Sequence, residues 1–214
     1  MLPQTEEDLI LYLTFNEGAG GISHDYSING NNGTLHNATW IEGKFHKGLQ
    51  FSTDKYVVVK HNNTLDFGGY FTIEFWIKGY TEGVKIFEKE YTPEVGVSPG
   101  PKGWNIRYEN NNIVFHATFG LDYIWHSHTI AYNVNDNKWH HVAVVVESTV
   151  ITGYLDGSID AQEVSSSEIR PNTGGNLKIG KINGILDEIK IYNRALTEDE
   201  IRAHYKGAAI KLRS

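Results

Sequence analysis

The feature that most constrains this chain is residues 139–158, W-H-H-V-A-V-V-V-E-S-T-V-I-T-G-Y-L-D-G-S. Residues 142–146 are an apolar run, V-A-V-V-V. A half-solvated strand alternates apolar with polar residues, so an unbroken run implies cover on both faces. Residues 150–155 form the return strand, and Glu147-Ser148-Thr149 is a short polar turn between the two. Asp156-Gly157 closes the second run, since Gly takes positive φ without steric cost. The reading is a β-hairpin near the middle of a sheet, around which the remaining strands pack.

Those strands are legible along the chain. Residues 8–15 (D-L-I-L-Y-L-T-F) place Leu9, Leu11, Leu13 and Phe15 on one face at period two. A loop rich in Gly, Asn, Asp and Ser covers 16–32, and short strands are expected at 33–35, 39–41, 48–51 and 56–59. Residues 71–78 alternate, with Phe71, Ile73, Phe75 and Ile77 facing one way and Thr72, Glu74, Trp76 and Lys78 the other. Another strand is expected at 85–91. The three prolines within 92–102 mark a loop and not an interdomain linker, because strands resume at once. Residues 104–108, 113–119 and 123–130 read as a meander turning at Asn110-Asn111-Asn112, and 176–179 and 185–192 as the last strands.

One helix is signalled. Thr197 as N-cap and Glu200 three residues on form a capping box, with Leu196 and Ile201 at the staple positions. Acids fill its first turn and Arg202, His204 and Lys206 its last, which suits the helix dipole. Gly207 is the stop. Strands do not alternate with helices, which excludes a parallel sheet. The fold class is therefore all-β, a two-sheet antiparallel β-sandwich with one short C-terminal helix. Residues 1–207 form the domain and 208–214 a short basic tail.

A chain of 214 residues suits one such sandwich. A core of that size needs no covalent staple, so the absence of Cys assigns no compartment. The net charge of -7 argues against a nucleic-acid partner, which calls for a basic stripe. No apolar run approaches the ~18 residues of a membrane span, and no charged segment followed by an apolar one marks a signal peptide. If the protein is exported, these residues are a domain of a longer chain. Three Asn-x-Thr triplets, at Asn32, Asn37 and Asn62, match the glycosylation acceptor, but Asn and Thr are frequent enough here for chance matches.

Several stretches together resemble the laminin-G-like jelly rolls of the concanavalin A-like superfamily. They are L-Y-L-T-F-N-E-G-A-G from Leu11, D-Y-S-I-N-G-N-N-G-T from Asp25, W-I-E-G-K-F-H-K-G-L-Q-F from Trp40, F-T-I-E-F-W-I-K from Phe71, W-H-H-V-A-V from Trp139, Y-L-D-G from Tyr154 and G-I-L-D-E-I-K-I-Y-N-R-A-L-T-E-D-E-I from Gly184. They cover nearly the whole chain in the family's order. The resemblance implies two curved sheets, often with a structural Ca²⁺ at one edge. It implies no single activity, because this fold carries lectins, adhesion modules, lyases and hydrolases.

Four constellations are candidates for chemistry. Residues 25–33 offer the hard oxygens that Ca²⁺ takes. The resemblance pairs Asp25 with Asp187 as side-chain ligands, with Asn29 and Gly33 adding oxygens. Without it, Asp25, Ser27 and Asn29 are as well explained as turn caps. In the meander, if Trp104, Ile106 and Tyr108 point inward, then Asn105, Arg107 and Glu109 point outward. His116, His126 and His128 would join them on one face, with Tyr123 or Trp125 as an aromatic platform. The resemblance makes that face the concave groove where glycans lie; the plain alternative is a solvated sheet face. Trp76 and Trp139 read as core. His126-x-His128 with His140-His141 is a weak zinc pattern, since Zn²⁺ needs three or four convergent ligands. For catalysis, no E-x-D-x-x-E triplet, paired carboxylate or G-x-S-x-G is present.

The resulting expectation is a non-catalytic carbohydrate-binding module with a structural calcium, part of a larger extracellular or surface protein, with a glycan or polysaccharide as partner. A protein-interaction or adhesion module is the alternative, and a polysaccharide lyase or glycoside hydrolase a further one.

Overall fold

The hairpin lies within a sandwich of two antiparallel sheets of eight strands each. The computed structural model describes residues 6–91, 102–118, 125–165 and 174–207. In chain order the strands are β1 (Leu9–Leu13), β2 (Ile22–Ser23), β3 (Gly33–His36), β4 (Thr39–Glu42), β5 (Lys47–Phe51), β6 (Tyr56–Val59), β7 (Tyr70–Lys78) and β8 (Lys85–Tyr91). They continue as β9 (Lys102–Glu109), β10 (Asn112–Thr118), β11 (Trp125–Ala131), β12 (His140–Glu147), β13 (Val150–Leu155), β14 (Ser158–Val164), β15 (Leu177–Gly180) and β16 (Gly184–Tyr192), followed by helix α1 (Glu198–Tyr205). Sheet A has the order β14-β13-β12-β7-β16-β5-β4, with β1 also paired to β16, and sheet B the order β11-β10-β9-β8-β15-β6-β3-β2.

The apolar run of β12 is covered on both sides, as its composition requires. Val142, Val144 and Val146 enter the core between the sheets. Ala143 and Val145 turn outward into a second cluster with Leu9, Tyr154, Tyr192, Leu196 and Ile201. Helix α1 supplies that outer cover. Its capping box forms as read, with the Thr197 hydroxyl accepting from the Glu200 N–H and the Glu200 carboxylate accepting from the Thr197 N–H. The outward residues of β7 are therefore buried too: Thr72, Glu74 and Trp76 are 0%, 0% and 3% exposed, and Trp76 stacks on Tyr205.

Several details differ from the sequence reading. A short strand, β2, lies inside the stretch read as a loop, and Trp139, read as core, is half-buried and outside the core cluster. Leu9 does not share a face with Leu11 and Leu13. The β1–β16 register slips between Leu9 and Leu11, so Ile10 enters the core with Leu11 and Leu13 while Leu9 turns to the helix side; one extra residue flips every side chain beyond it. Strand β14 is also new. It pairs with β13 at the edge of sheet A, across a turn whose Asp156 and Gly157 have φ of 51° and 79°, the left-handed pair that suits a two-residue hairpin.

The sheets close on each other at one side. A Cβ on Gly153 of β13 would overlap the backbone of Ile130 on β11, so strands of opposite sheets touch there main chain to main chain. No described helix is long and apolar enough to cross a membrane.

Candidate functional site: the outer face of sheet B

The strands β8 to β11 present a continuous polar row on the outer face of sheet B. Pleating decides which side chains reach it. Trp104, Ile106 and Tyr108 of β9 are in the core, which turns Asn105, Arg107 and Glu109 outward. On β10, Ile113, Phe115 and Ala117 are in the core, which turns out His116, opposite Asn105. On β11, Ser127 lies opposite His116 and Trp125 opposite Thr118, and residues directly across an antiparallel pair share a face.

These groups are linked hand to hand. Lys85 Nζ donates to Glu90 Oε2 at 2.6 Å, and Asn105 Nδ2 donates to Glu90 Oε1 at 2.8 Å. Arg107 Nε donates to Asn105 Oδ1 at 2.9 Å and its Nη1 to Glu109 Oε1 at 3.2 Å. His116 Nε2 lies 3.3 Å from Glu109 Oε2, and His116 Nδ1 lies 2.9 Å from the Ser127 hydroxyl. Burial lowers the His116 pKa, against the pull of Glu109 in the other direction, so the ring is neutral at pH 7 and one nitrogen accepts while the other donates. The row thus offers fixed carboxylates and a guanidinium, braced from beneath by Asn105, which is 1% exposed, and by the His116 ring, with the partly exposed Trp125 indole at one end. Alternation placed Glu109 on this face, though not as a binding residue, and Lys85, Glu90 and Ser127 were not among the residues read as binding. The same alternation about the core positions of β8 to β11 was the signal that could have found them.

His126 and His128 do not join this face. They share a side with each other, but it is the inner one: His128 lies opposite Phe115 and His126 opposite Ala117, both core residues. The β10–β11 register slips between Ile113 and Val114. At the closed side of the sandwich, His128 Nδ1 meets Glu163 Oε2 of β14 at 2.7 Å, so this histidine bridges the two sheets. Tyr123 lies outside the described residues.

The calcium residues are placed as follows. Asp25 Oδ1 accepts from the N–H groups of Tyr12 and Ser27, and Oδ2 from the Ser27 hydroxyl and the Asn31 N–H, at 2.7–2.9 Å. Asn29 Nδ2 donates to the Leu9 and Ile10 carbonyls. Gly33 sits in the β3 ladder, where a Cβ would press on Val57. Asp187, 0% exposed, accepts from the N–H groups of Phe45 and Glu188. Four donors fill the lone pairs of Asp25, while Asp187 is held by a different loop. Among the described residues no three His, Cys, Asp or Glu side chains gather as a metal group. His140 instead bridges Asp136 and Asp156, and His141 packs against Trp76.

A buried ionic cluster lies under α1. Glu74 Oε1 is 3.2 Å from Lys190 Nζ and 2.8 Å from His204 Nδ1. Burial opposes its ionisation, yet Lys190 and His204 hold it well below the usual carboxylate range. This cluster ties the helix to sheet A and is closed to ligands.

A family model described as concanavalin A-like lectin/glucanases superfamily, the laminin G type, matches residues 51–202. No curated protein sequence matches the chain. Among solved structures, the binding domain of Paraclostridial mosquitocidal protein 1 is similar over 94% of this chain and 52% of its own length, at 18% identity and a TM-score of 0.76. Domain 4 of a GH43 extracellular arabinanase from Geobacillus stearothermophilus, solved in complex with arabinotriose, is similar over 91% of this chain and 97% of its own, at 15% identity and a TM-score of 0.71. The botulinum neurotoxin serotype D binding domain is similar over 94% and 52%, at 16% identity and a TM-score of 0.68. The chain therefore spans about half the length of the toxin binding domains and nearly all of the arabinanase domain.

Proposed function

This chain belongs to the concanavalin A-like lectin/glucanase superfamily, and on that premise we propose that it is a non-catalytic carbohydrate-binding module of a larger exported protein. The observation that carries the reading is the polar row Glu90–Asn105–Arg107–Glu109–His116 ending at a partly exposed Trp125. Saccharides present vicinal hydroxyls that donate and accept together, and a pyranose face that stacks on an aromatic ring. The carboxylates accept from hydroxyls and the guanidinium donates to them, while the buried Asn105 amide and the His116 ring hold both in place. The internal bonds of the row fix these groups before a ligand arrives, which lowers the ordering cost of binding. The similarity to an arabinanase domain solved with arabinotriose supports a sugar as ligand.

Catalysis is not part of this reading. Glu90 and Glu109 are each occupied by cationic or amide donors, and no activated nucleophile stands on this face among the described residues. A glycan array probed with the folded domain tests the proposal. Reproducible binding to one glycan class supports it, and a blank array would move the function to protein recognition.

A further inference from the structure

A cavity of about 420 Å³ opens at the end of sheet A where β5 and β7 finish and β16 begins. That is within the usual size of a small-ligand pocket. Gln50, Ile185 and Lys78 lie side by side across its floor, since Ile185 is the direct partner of both. Lys55, Asn137 and Asn183 come from three separate turns to form the rim. The lining holds two lysines, three primary amides and a serine hydroxyl, and no carboxylate. That is notable in a chain of net charge -7. Lys47, Lys85, Lys89, Lys138 and Lys190 each face a carboxylate. Lys55 donates to the Thr39 hydroxyl at 3.1 Å with the exposed Asp54 carboxylate nearby, and Lys78 has no ion-pair partner among the described residues. Glycine lets the strand ends approach closely there: a Cβ on Gly184 would sit 2.6 Å from the Gly79 carbonyl oxygen.

We propose that this pocket is a second saccharide site, selective for a sugar that carries a carboxylate, such as a uronic acid. The two ammonium groups neutralise the carboxylate. The amides of Gln50, Asn137 and Asn183 each present a donor and an acceptor to hydroxyls, and Ile185 gives the ring C–H groups an apolar floor. The pocket lies on the other sheet from the polar row, so its failure and the failure of that reading are separable.

The test is a calorimetric titration with a galacturonic acid trisaccharide and with the neutral galactose trisaccharide of the same linkage. The acidic sugar is expected to bind at least tenfold more tightly, with the preference shrinking as salt rises. Lys78→Gln combined with Lys55→Gln removes that preference. Each single variant, at a half-buried surface position, checks the result if the pair melts early. Lys60→Gln, at an exposed position outside both sites, retains the preference. Equal affinity for the two sugars, no binding of either, or unchanged acidic-sugar binding by the double variant overturns the proposal. Inorganic sulfate that competes as well as the trisaccharide reduces the site to a simple anion site and overturns its saccharide assignment.

Discussion

Arg107 donates through Nε to the Asn105 carboxamide oxygen at 2.9 Å. Two outward side chains of one strand thereby hold each other in place, and Asn105 in turn holds Glu90 at 2.8 Å. The proposed sugar-binding row depends on this chain of contacts. Arg107→Ala removes its central cation while costing little stability, since a partly exposed ion pair contributes about 1 kcal/mol or less. The expected result is at least tenfold weaker glycan binding with a nearly unchanged melt. Undiminished binding would place the site elsewhere.

The ionic cluster under α1 gives the opposite pattern. Glu74 is fully buried between Lys190 and His204. Removing one partner of a buried pair strands the other charge and costs about 3–5 kcal/mol. Glu74→Gln is therefore expected to lower the urea midpoint sharply and loosen the helix, with glycan binding retained by whatever fraction remains folded. A loss under ~1 kcal/mol would mean that the cluster is not what fixes α1. Because the Glu74 pKa is depressed in the fold, its contribution is present above about pH 4.5 and disappears as pH falls below that.

Asp187 titrates with the other sign. Burial lifts its carboxyl to about 8, against the N–H groups of Phe45, Glu188 and Lys44 that pull it down. An acid whose folded pKa lies above its unfolded value favours the fold most when protonated, and that contribution is lost as pH rises from about 4 towards 8. Asp187→Asn is expected to lose stability relative to the parent at pH 5 and to regain ground steadily up to pH 8.5. A melting difference that stays constant over this range would contradict the assignment.

The 25–33 loop is held by protein donors. Asp25 accepts four hydrogen bonds. Asp25→Ala leaves the Tyr12, Ser27 and Asn31 N–H groups without their acceptor, at ~1–3 kcal/mol for each that stays buried. The expected melt is several degrees lower for the variant and the same with or without chelator for the parent. A chelator-dependent melt would restore calcium to the loop.

Much of this was legible in the sequence, and the reasons for the rest are local. The five apolar positions at 142–146 forced cover on both faces, and Thr197 with Glu200 placed the helix that provides half of it. Asn105, Arg107 and His116 were legible because each sits between core residues that fix the pleat. His126 and His128 were not. W-H-S-H-T-I-A carries polar groups on both faces, so only its register against β10 decides which face is inner, and that register contains a slip. Strand β14 escaped because an edge strand needs little apolar signal, and S-I-D-A-Q-E-V has little. The lysine pocket escaped because its walls come from turns far apart in the chain.

The most direct test of the central claim is an amide chemical-shift map of the labelled domain titrated with the glycan that the array returns. The account expects saturable shifts concentrated on Asn105, Arg107, His116 and Ser127 of sheet B, absent in Arg107→Ala. Shifts that avoid β9, β10 and β11 altogether would contradict it.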